Sequence, residues 1–332
     1  MTAPAPLLET TDLVKWFELR RSPGGRLRRE AAPRLTAVDG VSLSVARNTT
    51  LGVVGESGSG KTTLARCLTR LVEPDGGSIV FDGTEISSLP RSELGALRRR
   101  IQIVFQDPYT SLNPQMTVGS MLAEPLRVHG IAERREARAR VPELLELVGL
   151  APRVARMFPR ELSGGQRQRV AIARALAPQP DLLVADEAVS ALDVSIQAQI
   201  LNLLADLAER LGLTMVFISH QLSVIAHIAD TVAVMYLGRI VESGPVETVF
   251  GNPQHPYTAA LLAANPQIVP ERRRRKPAIR GDIPSPLHIP SGCRFRTRCA
   301  YAEERCAAID PPPERVGPGH VARCVVLPFR QR

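Results

Sequence analysis

Short apolar runs alternate along the chain with longer stretches in which apolar residues recur every three or four positions. The runs at 51–54, 101–105, 181–185 and 214–219 predict strands buried on both faces. After the first run, Leu64, Leu68, Leu71 and Val72 fall on one stripe of a helix. Helices are also predicted over 117–150, from about 166 to 177 (closed by Pro178 and Pro180) and over 196–211. Toward the N-terminus, 7–19 and the alternating segment 35–45 predict two strands, and turns at 74–77 and 82–83 flank a short strand at 78–81. Two more short strands are expected at 232–236 and 239–242. The alternation of strand and helix predicts an α/β fold with a mostly parallel sheet covered on both faces.

The run at 51–54 leads into Gly55-Glu56-Ser57-Gly58-Ser59-Gly60-Lys61-Thr62-Thr63, which matches G-x-x-x-x-G-K-[ST] between a strand and a helix. In isolation this could be a plain Gly/Ser turn, but its flanks favour a phosphate site. Glycines at 55, 58 and 60 let backbone N–H groups turn inward, and the helix start adds partial positive charge. Gly55, Ser57, Gly58, Gly60, Lys61, Thr62 and Thr63 are therefore expected to hold a nucleotide. Lys61 would reach the β- and γ-phosphates and the Thr62 hydroxyl would meet Mg²⁺. Two further predicted strands end in reactive residues, Asp186-Glu187 and His220. Ligands of open α/β sheets bind outside such carboxyl ends, so the three groups are expected to converge. Asp186 suits a second Mg²⁺ anchor, and Glu187 could orient and deprotonate an attacking water. At Leu162-Ser163-Gly164-Gly165-Gln166 a predicted helix starts with free N–H groups, a hydroxyl and a dipole, a second anion site of the same physical kind.

The 332 residues carry a net charge of +9 and 44% apolar residues, ordinary for a globular chain. No apolar stretch approaches the 18 or more residues of a membrane span, and the N-terminus lacks the basic-then-apolar pattern of a secretory signal. A cytosolic setting is expected. The positive charge admits nucleic acid or an anionic membrane surface, and the aromatic content of 4% argues against base-stacking platforms for single strands. Two basic patches, 20–34 and Arg272-Arg273-Arg274-Arg275-Lys276, are expected to be exposed loop and linker. The second could touch lipid headgroups.

Cys67 lies in the first helix and suits a small core residue, whereas Cys293, Cys299, Cys306 and Cys324 form a C-x5-C-x6-C-x17-C tail. A cytosolic setting disfavours disulfides, and zinc usually takes closely spaced pairs. Four thiolates can also hold a [4Fe–4S] cluster, whose spacings vary more.

The whole pattern resembles the ATP-binding subunit of ABC transporters. Residues 55–62 match the Walker A loop, Gln106 the Q-loop, 162–166 the signature motif, 182–187 Walker B, 190–193 (with Asp193) the D-loop, and His220 the switch histidine. Six motifs stand in family order. The resemblance implies a P-loop NTPase cassette over 7–250, with an antiparallel β subdomain and a helical subdomain at about 107–165. It also implies a head-to-tail dimer with two sandwiched ATP molecules, in which the loop at 55–63 of one subunit faces Ser163, Gly164, Gly165 and Gln166 of the other. Glu187 is then the general base, His220 contacts the γ-phosphate, and Gln106 senses Mg²⁺ and couples to the membrane subunit. Phe17 aligns with the aromatic residue that stacks on adenine, Trp16 being the alternative. Two departures, Ala188 for proline and Gln221 for aspartate, leave the catalytic groups in place; Ala188 is expected to loosen the turn that holds Glu187.

The segments 106–114, 252–258 and 292–299 resemble those of dipeptide/oligopeptide importers, and among these the "F" ATPase subunit, which pairs with a sister "D" subunit. This implies a small Cys-rich extension over 251–332 whose four tail cysteines hold the iron–sulfur cluster. It also implies a place on the cytoplasmic face of the membrane, docked on two permease subunits and served by an extracytoplasmic binding protein. Nickel, opine or glutathione importers use the same subunit type. Soluble ABC ATPases acting on nucleic acid or ribosomes usually carry two cassettes or long inserted arms, and this chain has neither, so no nucleic-acid partner is expected.

Overall fold

A computed structural model describes residues 5–19, 32–90, 92–107, 111–190, 192–264 and 281–327. The strands are β1 (Leu8–Glu18), β2 (Arg34–Val45), β3 (Thr50–Val54), β4 (Gly76–Phe81), β5 (Thr84–Glu85), β6 (Ile101–Val104), β7 (Leu182–Asp186), β8 (Thr214–Ser219), β9 (Thr231–Tyr236), β10 (Arg239–Pro245), β11 (Glu314–Gly317) and β12 (His320–Ala322). The α-helices are α1 (Lys61–Leu68), α2 (Leu94–Arg100), α3 (Val118–Val128), α4 (Arg134–Ala139), α5 (Val141–Leu147), α6 (Gly164–Leu176), α7 (Val194–Leu211), α8 (Leu222–Ile228), α9 (Val246–Gly251), α10 (Pro256–Ala264) and α11 (Arg305–Ala308). None of the described helices is long and apolar enough to cross a membrane.

The chain packs as two compact units. The first is built chiefly from Val45–Thr50 and Ser88–Ile218. Its strands β6, β7 and β8 are parallel, with Val104 opposite Ala185 and Val184 opposite Val216. Leu182, Leu183, Val184 and Ala185 are all fully buried, so this strand is apolar on both faces as its sequence requires. The stretch 117–150, expected to be helical, is three short helices. Thr117 caps the first through the Ser120 N–H, and glycines at 130 and 149, both at positive φ, end turns that other residues would strain. Helix α2 escaped the sequence analysis because its Leu-Gly-Ala-Leu-Arg-Arg-Arg carries too short an apolar stripe.

The second unit comprises Pro6–Ser44, Leu51–Ser87 and Ser219–Arg332. It holds an antiparallel sheet in the order β2-β1-β4-β5. It also holds a run in which β3 pairs with β9 in parallel and β10, β12 and β11 continue antiparallel. The sheet β2-β1-β4-β5 is the antiparallel β subdomain that the resemblance implies, and β3 with β9 supplies the parallel pairing here. The tail does not hang from the fold: β12 pairs with β10, Glu242 opposite Ala322. The Glu242 carboxylate, fully buried, accepts the Gln254 and His255 backbone N–H groups at 2.6 and 3.0 Å and lies 2.8 Å from His320 Nε2. A carboxylate with three partners is tolerable in a dry interior, and it fastens α10 and β12 to one strand. The basic run 272–276 and most of 20–34 lie outside the described residues.

Candidate nucleotide-binding site

Glycines fix the path of the loop at 55–60. Gly58 and Gly60 take φ of 80° and 107°, and a Cβ on Gly60 would stand 2.0 Å from the Ala37 carbonyl oxygen. A Cβ on Gly55 would come within 2.1 Å of the Met235 carbonyl oxygen, so neither position accepts another residue. Lys61 is buried, and its Nζ donates to the Gly55 and Glu56 carbonyls at 2.8 and 3.0 Å. The ammonium is thus drawn over the loop at the start of α1. Ser57 and Gly58 are exposed, Thr62 and Thr63 half-buried, while Ser59 Oγ is buried without a hydrogen-bond partner.

Glu56, which the sequence analysis passed over, is the most heavily held residue of the loop. Its backbone N–H donates to Tyr257 Oη at 2.9 Å, and its carboxylate takes both terminal nitrogens of Arg298, at 2.6 and 3.0 Å. Burial pushes the Tyr257 phenol well above its ordinary range, so it remains a neutral hydroxyl. No local signal marks these contacts: the partners lie 201 and 242 positions away. His220 lies in the same unit, exposed just after β8. Phe17 is 38% exposed near the end of β1, with Lys15 Nζ 5.4 Å from its ring centre, while Trp16 lies under the Arg34 guanidinium at 4.0 Å.

In the first unit, Asp186 is buried at the end of β7 and Glu187 follows at a φ of 48°, unusual for a residue other than glycine. The Glu187 N–H donates to the Ile218 carbonyl, and its own carbonyl accepts from the Ser190 N–H and hydroxyl. Three hydrogen bonds pin the turn. They counter the expected looseness at Ala188, which is itself buried. Gln106 Nε2 donates to Glu187 Oε2 at 2.9 Å, so the structure brings these two predicted residues together. Ser163 caps α6: its Oγ accepts the Gln166 N–H at 3.3 Å while Gln166 Oε1 accepts the Ser163 N–H at 3.0 Å. Ser163 is exposed and Gly164 half-buried; a Cβ on Gly165 would meet Ile196 Cγ2 at 2.7 Å, so this glycine lets α7 approach. Asp193 stands exposed just ahead of α7, and Ala191 lies outside the described residues.

Of the four tail cysteines, Cys293, Cys306 and Cys324 are buried and Cys299 is half-buried, and the Cys293 N–H donates to the Cys306 carbonyl at 2.9 Å. Burial raises Cys299 to about 11 and Cys324 to about 12, so these thiols are protonated unless a cation draws them into the thiolate form. Backbone N–H groups of Tyr301, Glu303 and Val326 point at the sulfurs of Cys299, Cys306 and Cys324 at 3.4, 3.5 and 3.4 Å. Such donors favour sulfur that carries negative charge. At the same time, no group of three His, Cys, Asp or Glu side chains among the described residues is close enough to hold a single metal ion. Cys67, apart from the tail, is core, and burial raises it to about 11.

Fold and motifs define an ABC-type ATPase cassette. The ABC transporter family model matches residues 38–190, and the model for the oligopeptide/dipeptide transporter C-terminal region matches 241–306. The chain is 49% identical over 300 residues to the di/tripeptide transport ATP-binding protein DppF of Pseudomonas aeruginosa, covering 90% of this chain and 91% of that one. It is 48% identical over 320 residues to the dipeptide transport ATP-binding protein DppF of Haemophilus influenzae, covering 96% of each. Among solved structures, a dimeric ATP-binding cassette in a post-hydrolysis state with ADP and Pi aligns at a TM-score of 0.63 and 29% identity, over 72% of this chain and 98% of that one. The cbiO1 cassette of Clostridium perfringens aligns at 0.63 and 27%, over 80% and 97%. The chain belongs to the ATP-binding subunits of peptide-importing ABC transporters.

Proposed function

We propose that this subunit binds and hydrolyses ATP in a head-to-tail dimer with a sister cassette, docked on the cytoplasmic side of two permease subunits to drive import of di- and oligopeptides. The observation that supports the reading is the loop at 55–60, where Gly58 and Gly60 take positive φ and Lys61 rests on the loop carbonyls. When ATP enters, Lys61 exchanges those carbonyls for β- and γ-phosphate oxygens, and Gly58, Gly60, Thr62 and Thr63 present N–H groups and hydroxyls. Thr62, Gln106 and Asp186 offer hard oxygen donors suited to Mg²⁺, and His220 reaches toward the γ-phosphate. Glu187 takes the proton of the attacking water, and its hydrogen bond with Gln106 offers a way to hold it until Gln106 turns to its other duties. Ser163, Gly164, Gly165 and Gln166, at a helix start whose Ser163 is exposed, meet the ATP held by the sister subunit, with Asp193 at the same dimer face. Phe17 is the proposed adenine platform. The cassette spans 7–250, with a helical subdomain at about 107–165, and the extension 251–332.

Cys293, Cys299, Cys306 and Cys324 are proposed as ligands of a [4Fe–4S] cluster; the backbone bond between Cys293 and Cys306 and the N–H donors to the sulfurs of Cys299, Cys306 and Cys324 support the reading. Such a cluster supplies iron–thiolate bonds and a one-electron redox couple. Iron and acid-labile sulfide near stoichiometric in anaerobically purified protein are expected, and their absence removes this assignment. For the ATPase, Glu187→Gln in the assembled transporter is expected to lower turnover by about 10²–10⁴-fold with peptide uptake lost. An unchanged rate overturns the assignment.

A further inference from the structure

We infer that the C-terminal extension sets the shape of the phosphate loop, with Arg298 and Tyr257 as positioning residues acting through Glu56. The inference rests on the nucleotide reading of that loop and concerns how the loop is held.

Three groups of Glu56 are engaged at once. Its N–H is held by Tyr257, its carboxylate by Arg298, and its carbonyl accepts from Lys61 Nζ. The extension therefore reaches within one residue of the lysine's resting anchor. Arg298 is only 6% exposed in its side chain against 24% for Glu56, so the fork is partly withdrawn from water and worth more than a surface pair. The supports continue behind it. Tyr257 packs on Tyr236 and Phe295, with ring centres 4.7 and 5.3 Å away, and Phe295 meets Tyr236 edge-on at 5.3 Å. Arg294 donates to the Leu237 carbonyl and pairs with Asp39.

Arg294, Phe295 and Arg298 all come from the stretch between Cys293 and Cys299, so two cysteines frame the segment that grips the loop. Phosphate chemistry does not call on the Glu56 carboxylate, and no turn in the loop needs it. Its observed work is to receive Arg298. The state of the cysteine-framed segment then tunes how readily the loop accepts ATP: a firmly held segment keeps Glu56 in place, a loosened one lets the loop relax and the nucleotide site weaken.

The test uses the full-length chain, assembled with its transporter partners for kinetics and alone for equilibrium binding of a fluorescent ATP analogue. Arg298→Ala is expected to raise KM and the analogue's Kd about tenfold with kcat within about twofold, and Arg298→Lys, which loses the fork, to fall between. The exchange Glu56→Arg with Arg298→Glu restores at least half of the lost affinity. Cys299→Ser raises KM in the native background and adds nothing on top of Arg298→Ala, the non-additivity expected of one linked path. Tyr257→Phe serves as a second probe if Arg298→Ala does not fold. An Arg298→Ala variant with native melting temperature and unchanged KM and Kd overturns the inference, as does full additivity with Cys299→Ser. If the native chain itself binds no nucleotide, the failure belongs to the nucleotide reading; if it binds and Arg298→Ala binds equally well, only the positioning role falls.

Discussion

Two helix starts in this chain offer the same attraction to an anion, free N–H groups and a helix dipole, yet they are built in opposite ways. The loop ahead of α1 is held from far away in the sequence, its glycines pressed against the Ala37 and Met235 carbonyls and its Glu56 gripped by Tyr257 and Arg298. The start of α6 satisfies itself, because Ser163 and Gln166 exchange hydrogen bonds three residues apart and Ser163 faces solvent. A cradle that must wait for a ligand needs bracing from outside, since its donors cannot be spent on its own chain. A helix end proposed to meet an anion carried by another subunit can be locally complete, with its capping serine exposed.

The strongest way to break this contrast is Gly60→Ala. The new Cβ meets backbone at 2.0 Å at a φ of 107°, so no side-chain adjustment relieves it. Strain of about 1–3 kcal/mol and a displaced loop are expected, with ATP-analogue affinity down by more than about 10²-fold and a lower melting temperature. Retained affinity shows that the loop does not need its distant braces. A second probe acts on the brace through acid. His255 is buried, its Nδ1 accepts the Tyr257 N–H, and burial lowers its pKa from 6.5 to about 3. Below pH 6.5 the unfolded chain takes up a proton there that the folded chain refuses, so stability falls as pH drops from 6.5 toward 3 and is unaffected by this group above 7. The loss is about 2 kcal/mol between pH 6.5 and 5, checked by urea unfolding, and His255→Gln is expected to flatten that slope. The smallest effect belongs to the self-contained end. Ser163→Ala is expected to cost about 1 kcal/mol of stability through the lost cap while leaving ATP-analogue binding to the single chain intact. A large loss of single-chain binding removes the distinction between the two helix starts.

Where the local pattern decides the outcome, sequence and structure agree. The apolar run 214–219 is a strand to the residue, and the Ser163-to-Gln166 pattern starts a helix where capping chemistry requires. The motif spacing also singled out Gly55 and Gly60, where a Cβ would strike backbone. The misses share a cause. Strands β11 and β12 are four and three residues long in a Pro-rich tail and become strands because β10 offers an edge. Helix α2 ends in three arginines that hide its short apolar face. The helical stretch 117–150 breaks near Gly130, whose positive φ the periodicity does not register, and again at Arg140, where Pro142 enters the first turn of the next helix.

By itself the amino-acid sequence determined the buried strands, the helix caps and the residues capable of phosphate chemistry, because apolar periodicity, glycine and short-range hydrogen bonding act over a few residues. Only the tertiary structure decided that Gln106 holds Glu187, that the turn after Asp186 is pinned by Ser190 and Ile218, and that the cysteine-framed tail grips Glu56. Those contacts join residues 81 to 242 positions apart, except the short Ser190 turn and the 31-residue step to Ile218, and their geometry exists only after the core has closed around them.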